Sequence, residues 1–458
     1  MSQEATDREV WSLDANFDSG HFVEEDQELS EQDVRAIEDK YGVSGILKSW
    51  GGQYPPRIVV NEREGFHVKD GQARRLADLH QAILSMSVGW KNANIEALIA
   101  KYKELYPGVD MVDTTQVFPP ATLLKRDLVE ACRPYGDFRA LLASSGTSAN
   151  EQAIRLCMGA LGGPQKTQLI VMEGCYGGAD LSMNANCIVP GWKGDTSLPE
   201  SALVIKRDGS NLDEVMDALP EGVKPIWHTE DGIQGVGGFH PWPPKLMQDV
   251  AKRVREKGGK IILDNVQTFV RNGSGMLGVD RWGEKDESGQ LKDYCKPDAI
   301  TFAKGLGNGR AVAATLVSED TLKEVAAGGN PGATFDTFSQ PLEGIAAARQ
   351  VMKMVRDLRL WENAGQMGAK FREQIGDLAT DFPGVVTEVF GEGALVGVRL
   401  TTGAQVLKAL ELAPTKGLLF AKGGMKGEVV RAPLPFNATS EFVDEVSGKM
   451  REVVRAVT

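Results

Sequence analysis

Cysteine is scarce in this chain. Cys132, Cys157, Cys175, Cys187 and Cys295 are the only five among 458 residues, and no two form a CxxC pair. That excludes a disulfide framework and a zinc ribbon, and it fits a reducing compartment. Histidine is as sparse. His21, His67, His80, His228 and His240 are scattered without metal-ligand spacing, so no metal is expected. Positive charge is in deficit: 51 Lys and Arg stand against 63 Asp and Glu, a formal net charge of -12. A chain this acidic lacks the basic footprint that a nucleic-acid partner requires. No apolar run reaches membrane-spanning length, so no membrane partner is expected. The start, MSQEATDREVWSLDANFDSG, is acidic and polar and is not a secretory signal, which leaves a cytoplasmic location as the expectation. Repeats and low-complexity tracts are also missing.

What is there is an ordinary globular composition, 42% hydrophobic and 25% charged, enough to build a sizeable core. Residues 1 to about 55 read as a polar, partly helical lead-in. IVVNEREGFHVKDG (58–71) reads as two short strands around Glu64-Gly65, closed by a turn at Asp70-Gly71. Helical pattern covers 92–105. Seven β-rich runs then follow: RALLASS (139–145), TQLIVME (167–173), SALVIKR (201–207), KPIWHTE (224–230), KIILDN (260–265), DAITFAK (298–304) and AVAATLV (311–317). Helical stretches such as 150–161 and 244–257 lie between them. Strand and helix in alternation specify a mainly parallel, seven-stranded α/β sheet covered on both faces. The last two runs are close enough in sequence that one of them can be antiparallel. Beyond Pro341 a long helix, a strand-rich patch (388–400) and a final helix after Asn437 describe a second, smaller α+β domain.

Open α/β sheets bind ligands at the carboxyl ends of their strands. SSGTSANE (144–151) leaves a strand through Gly146 and enters a helix, whose free N–H groups suit an anion such as phosphate. Ser148 and Glu151 have capping-box spacing there. Tyr176 follows the next strand in a glycine-rich loop, placed to stack on a planar ligand or simply to pack at the domain edge. Asp264 ends a buried apolar strand, with Gln267 one turn on. Lys304 ends another and is followed by GLGNG, where partial desolvation would lower its pKa and make it a nucleophile. A phosphate site, an aromatic face, a carboxylate and a strand-end lysine on one sheet edge are the parts that pyridoxal 5′-phosphate needs.

These segments resemble the class III (ω-amino acid type) aminotransferases of fold type I over roughly residues 55 to 455. SSGTSANE is similar to the family's SGTEANE, LDNVQT to its DEVQT, and PDAITFAKGLGNG to its PDIITLAKGLGGG. GEGALVGVRL and VVRAPLPFN match its small-domain signatures. The resemblance implies a large pyridoxal phosphate-binding domain over 76–345, a small α+β domain over 346–458, and an N-terminal segment, 1–75, that joins the small domain. It implies that Lys304 forms the cofactor Schiff base, Asp264 pairs with the pyridine nitrogen and Gln267 reaches the ring hydroxyl. Ser145, Gly146 and Thr147 would bind the phosphate and Tyr176 would stack on the ring. Arg431 would grip a substrate carboxylate, with Asp231 standing where the family's EPIQG has a glutamate. The family is built from homodimers with shared sites, and Thr334 or Thr337 would reach the partner's phosphate.

The activity implied is transfer of an amino group from an amino acid, ω-amino acid or amine to a 2-oxo acid such as 2-oxoglutarate or pyruvate. An epimerase, aminomutase or decarboxylase could use the same lysine and aspartate. A nucleotide-binding protein is the reading from another class, but neither GxxxxGK[ST] nor a strand-linked GxGxxG is present. A catalytically silent scaffold is the remaining one, and the retained lysine, aspartate and glutamine speak against it. Substrate-recognition parts depart from the family: Gly177 replaces a histidine, Ser148 and Asn265 replace glutamates, and 281–295 adds a charged insertion expected to be a surface loop.

Overall fold

The apolar runs read from the sequence are the strands of one sheet in the computed structural model, which describes residues 29–42, 58–184, 188–189, 202–328 and 336–458. The strands are β1 (Phe138–Ala143), β2 (Thr167–Met172), β3 (Leu203–Ile205), β4 (Lys224–Thr229), β5 (Lys260–Asp264), β6 (Ala299–Phe302) and β7 (Ala313–Ser318). Their spatial order is β1-β7-β6-β5-β4-β2-β3. Only β7 is antiparallel to its neighbours, β1 and β6. The chain between β6 and β7 is too short for a parallel crossover, which takes a dozen or more residues. Every residue of β5 and β6 is buried, as a parallel strand covered on both faces requires. The chain divides into two units, Met1–Gly51 and Gly52–Thr458. In the first, helix Glu31–Tyr41 is capped by Ser30 and buries none of its residues.

Helix α1 (Gly146–Ala160) lies across the sheet and is fastened by two threonines beneath it. Thr315 donates to the Ala149 carbonyl at 2.9 Å, and Thr301 donates to Asn150 Oδ1 at 2.6 Å. The helix starts at Gly146 rather than Asn150, because Ser145 leaves β1 in extended conformation and is itself the N-cap, accepting from Ser148 N at 3.1 Å. The Ser148–Glu151 capping box is therefore not formed, and Glu151 pairs with Arg155 at 2.6 Å instead. On α2 (Pro244–Glu256), Met247, Val250, Ala251 and Val254 form the single buried stripe of an amphipathic helix. The insertion after Arg281 is exposed over 285–290, but Trp282, Leu291 and Cys295 anchor its two ends in the core.

The C-terminal part begins with α3 (Leu342–Leu358) and α4 (Leu360–Ile375). A four-stranded antiparallel sheet follows, built from β8 (Val386–Glu392), β9 (Leu395–Leu400), β10 (Ala421–Gly423) and β11 (Val429–Pro433). Helix α5 (Ser440–Val457) closes the chain. The expected N-terminal hairpin is present as Val60–Glu64 against His67–Asp70. A third strand, Arg75–Asp78, extends it and pairs in parallel with Leu418–Leu419. That strand carries no sequence signal, because RLAD lacks the β-branched and aromatic residues that mark the others.

Close packing of α4 on the β8–β9 hairpin depends on a missing side chain. A Cβ on Gly368 would lie 1.6 Å from the Gly393 carbonyl oxygen. Gly368→Ala should cost about 1–3 kcal/mol of stability, the range for overpacking. Gly448→Ala, in α5 with open space around it, should gain about 0.5–1 kcal/mol by removing glycine's entropy. Urea unfolding of both variants checks the pair.

Candidate active site

Four strand ends and one strand of the C-terminal sheet converge on a single cavity of about 380 Å³. β1 delivers Ser145, Gly146 and Thr147, β4 delivers Glu230, β5 delivers Asp264, and β6 delivers Lys304. β11 delivers Arg431, and loops add Tyr176 and Gln267. Eight of the residues singled out from sequence thus share one site. Three do not. Thr334 lies outside the described residues, Thr337 is exposed in a turn, and Asp231 points elsewhere. Next to Thr337, Asp336 accepts from Ser144 N at 2.9 Å, so that turn lies against the mouth of the Ser145 loop.

The first turn of α1 has backbone N–H groups that no helical carbonyl can reach. Its close seat on the ends of β5 and β6 requires glycine: a Cβ on Gly146 would come within 2.9 Å of Val266 Cγ1 and 3.4 Å of Ala303 Cβ. Thr147 contributes a hydroxyl that accepts from Ala179 N at 3.4 Å. N–H groups, a hydroxyl and the positive end of a helix make an anion seat at this end of the cavity.

Asp264 is 5% exposed, and both its carboxylate oxygens are engaged. Val266 N donates to Oδ1 at 2.8 Å, and Asn150 Nδ2 donates to Oδ2 at 2.7 Å. The Thr301 hydroxyl on Asn150 Oδ1 fixes which way that amide points. His228 Nε2 stands 3.6 Å from Asp264 Oδ2. Each carboxylate oxygen accepts up to two bonds, so capacity remains for a protonated ring nitrogen. Gln267 Oε1 is buried and has no hydrogen-bond donor among the described residues. An unsatisfied buried acceptor costs roughly 1–3 kcal/mol, which a hydroxyl group bound in the cavity would recover. Anion seat, carboxylate and orphaned acceptor together fit the phosphate, ring nitrogen and ring hydroxyl of pyridoxal 5′-phosphate.

Lys304 follows β6 with a left-handed backbone, φ +47°. Burial pushes its amine down to about 8, with Asp264 opposing the shift and Arg431 adding to it. Roughly a tenth of the amine is therefore neutral, and nucleophilic, at pH ~7, far more than for an ordinary lysine. Glu230 moves the other way: burial, then the nearby Asp264 charge, raise its carboxyl to about 8. Gly235 N donates to its Oε2 at 3.1 Å.

The sequence-based assignment of Asp231 to the site is corrected here. Its backbone turns left-handed, φ +29°, and its carboxylate accepts from Trp282 Nε1 at 2.9 Å, behind the cavity wall. The preceding residue, Glu230, faces the cavity instead. Arg431 is 0% exposed, donates from Nε to the Lys422 carbonyl at 2.9 Å and lies over the Phe239 ring at 5.4 Å. Sequence reasoning also missed Asn150, Val266 and the pair Ile83 and Ser85, which line the cavity. Asn150 stood in the SANE motif and Val266 beside Asp264. Ile83 belongs to a turn in which Gln81, Ala82, Ile83 and Leu84 all have positive φ. Each such residue costs roughly 1–2 kcal/mol, and with no glycine among them nothing in the sequence signals it.

Glu230 makes stability depend on pH. Its folded pKa, about 8, lies above its ordinary value of 4.5. The folded chain keeps a proton that the unfolded chain releases, so this stabilising contribution is present below pH 4.5 and is lost as pH rises through 8. Lys304 acts only above its own value of about 8, where its burial penalty is relieved. Cofactor-free Glu230→Gln should therefore be more stable than the parent at pH ~8.5 by on the order of 2–4 kcal/mol, with the gap closing toward pH ~5. Urea titrations of the cofactor-free proteins across that range measure it.

The site has recognisable relatives. The sequence pattern described as Aminotransferase class-III matches residues 50–196 and 227–454. A mitochondrial acetylornithine aminotransferase of Yarrowia lipolytica is 25% identical over 425 residues, covering 91% of this chain and 94% of the relative. The crystal structure of an ornithine aminotransferase from Toxoplasma gondii superposes with a TM-score of 0.78 at 19% identity, covering 94% of this chain and 96% of that one. An (S)-enantioselective ω-transaminase from Thermomicrobium roseum gives 0.78 at 20% identity, covering 94% and 100%. The chain belongs to the class III aminotransferases, fold type I enzymes that transfer amino groups with pyridoxal 5′-phosphate.

Proposed function

We propose that this enzyme takes the amino group of an amino acid, ω-amino acid or amine and passes it to a 2-oxo acid such as 2-oxoglutarate or pyruvate, whose carboxylate is held by Arg431. The observation that carries this reading is the meeting of Lys304, Asp264, Gln267 and Arg431 in one cavity. Bound pyridoxal phosphate supplies the electron sink for the bond broken at the donor carbon. Ser145, Gly146 and Thr147 would hold its phosphate, Tyr176 would cover the ring and Gln267 would accept from the ring hydroxyl. Asp264 would keep the ring nitrogen protonated. Lys304 would hold the cofactor through its Nζ, the atom that would also carry the proton away from the donor carbon. Support for Arg431 as the carboxylate clamp is its burial and its planar fork of donors. Glu230 stands on the same wall and takes the role expected of Asp231.

We also read the enzyme as a homodimer. The short ladder of Met111–Val112 with Gln340–Pro341 is flanked by Val117, 87% exposed, and Phe338, 65% exposed, an apolar surface beside the turn that carries Thr337. Thr337 or Thr334 would reach the partner's phosphate seat. The large domain is read as 76–345 and the small one as 346–458, supported by their separate sheets. A cytoplasmic location is supported by the buried thiols of Cys132, Cys157, Cys175 and Cys295, none of which forms a disulfide among the described residues. No described helix is long and apolar enough to cross a membrane.

Four outcomes test the reading. Purified protein should show a visible absorbance band that one donor from a panel of amines and ω-amino acids abolishes. Lys304→Ala should lose the band and reduce turnover by ~10⁴-fold or more. Arg431→Gln should raise KM for the 2-oxo acid by ~10-fold or more with a smaller change in kcat. Sedimentation should give twice the chain mass. A protein with no band after adding pyridoxal phosphate, or one that turns over donors without a 2-oxo acid, contradicts the proposal.

A further inference from the structure

The left-handed turn Gln81–Leu84 is held from several sides. Asp78 Oδ1 accepts from the N–H groups of His80 at 3.1 Å and Gln81 at 2.7 Å. Gln81 Nε2 donates to the carbonyl of Pro433, on the strand of Arg431, at 2.6 Å. Gly309 N, in the loop after Lys304, donates to the Ser85 carbonyl at 3.0 Å. Behind the turn lies Arg271, 0% exposed. Its Nη2 donates to Gln81 Oε1 at 3.1 Å, to the Leu84 carbonyl at 2.9 Å and to the Met86 carbonyl at 2.9 Å. Its Nη1 reaches the Gln267 carbonyl at 3.5 Å, and the guanidinium lies over the Phe436 ring at 4.8 Å. No carboxylate among the described residues pairs with it.

A buried cation without a counter-ion is costly, and these oxygens are its compensation. They come from two places only: the stretch Gln81 to Met86, which contains the turn, and Gln267 on the ring side of the cavity. One rigid fork therefore ties the wall that carries Ile83 and Ser85 to the segment that carries Gln267. A lysine could not reproduce this, because its donors leave one point rather than a plane.

We infer that Arg271 is a positioning residue, and that the strained turn it holds is the wall that sets how an amino donor fits the cavity. The inference rests on the reading of the Arg431 side as the substrate end. Loss of the fork lets the turn relax out of its left-handed form. The donor then binds more weakly, while Asp264 and Lys304, to which Arg271 makes no hydrogen bond, stay in place.

The test uses the cofactor-loaded enzyme and the variants Arg271→Lys, Ala82→Gly, Ile83→Ala and the double Arg271→Lys/Ala82→Gly. Arg271→Lys should keep the visible cofactor band, raise donor KM by ~10-fold and change kcat by less than ~3-fold. Glycine at residue 82 favours the left-handed turn, so the double variant should recover to within ~3-fold of the parent KM. Ala82→Gly alone should raise Tm by ~1–3 °C. Ile83→Ala should shift donor KM by ~3-fold or more with the band intact. A kcat loss at constant KM in Arg271→Lys overturns the inference, and so does a double variant no better than the single. If Arg271→Lys does not fold, a fall in Tm for Ala82→Gly or an unchanged KM for Ile83→Ala overturns it. A parent enzyme with no band or no donor reaction would instead count against the proposed function.

Discussion

A buried carboxylate at the end of β5 is the constraint that the site is built around. Asp264 can stay charged out of water only if its oxygens are bonded. One bond comes from the backbone just beyond it, Val266 N. The other comes from Asn150, and this second bond reaches across the molecule. It requires α1 to sit directly on the sheet, which in turn requires glycine at 146 and the two threonines that pin the helix from below. The same docking brings the amino end of α1 to the cavity. Anion seat and carboxylate are thus consequences of one packing arrangement, held at a fixed separation by β5, β6 and α1.

The remaining ionisable groups respond to that charge. Lys304 and Glu230 are both buried near Asp264, and burial drives their pKa values toward each other, down and up to about 8. The amine and the carboxyl thus titrate in one shared range, each far from its ordinary value. Such paired shifts are typical of sites that move protons. The strained backbones at Lys304 and at Gln81–Leu84 lie at the same place, where cavity walls are held by neighbouring contacts rather than by local preference.

How much could be read from the sequence follows the physics of each part. The seven strands were legible because strands covered on both faces must be apolar throughout. The antiparallel β7 was open only to the extent that its short connection allowed. Asp264 and Lys304 were legible because charged residues ending such strands stand out. Asp231 was misassigned by one residue. A motif match sees the order of residues but not the positive φ that turns Asp231 behind the wall and leaves Glu230 in front. The turn at Gln81–Leu84 was invisible, since its conformation is imposed by Asp78, Arg271 and Pro433, all remote or unremarkable in sequence. The strand Arg75–Asp78 was missed because RLAD has no β-branched or aromatic residue, although one partner, His67–Asp70, is its neighbour in the chain.

The central claim is that Lys304, facing Asp264 across one cavity, is the residue that carries the cofactor. Borohydride reduction of the cofactor-loaded enzyme, followed by peptide mass mapping, tests it directly. The account requires one pyridoxyl group per chain, on the peptide containing Lys304. The label on a different lysine, or no label on a protein that had bound pyridoxal phosphate, would contradict it.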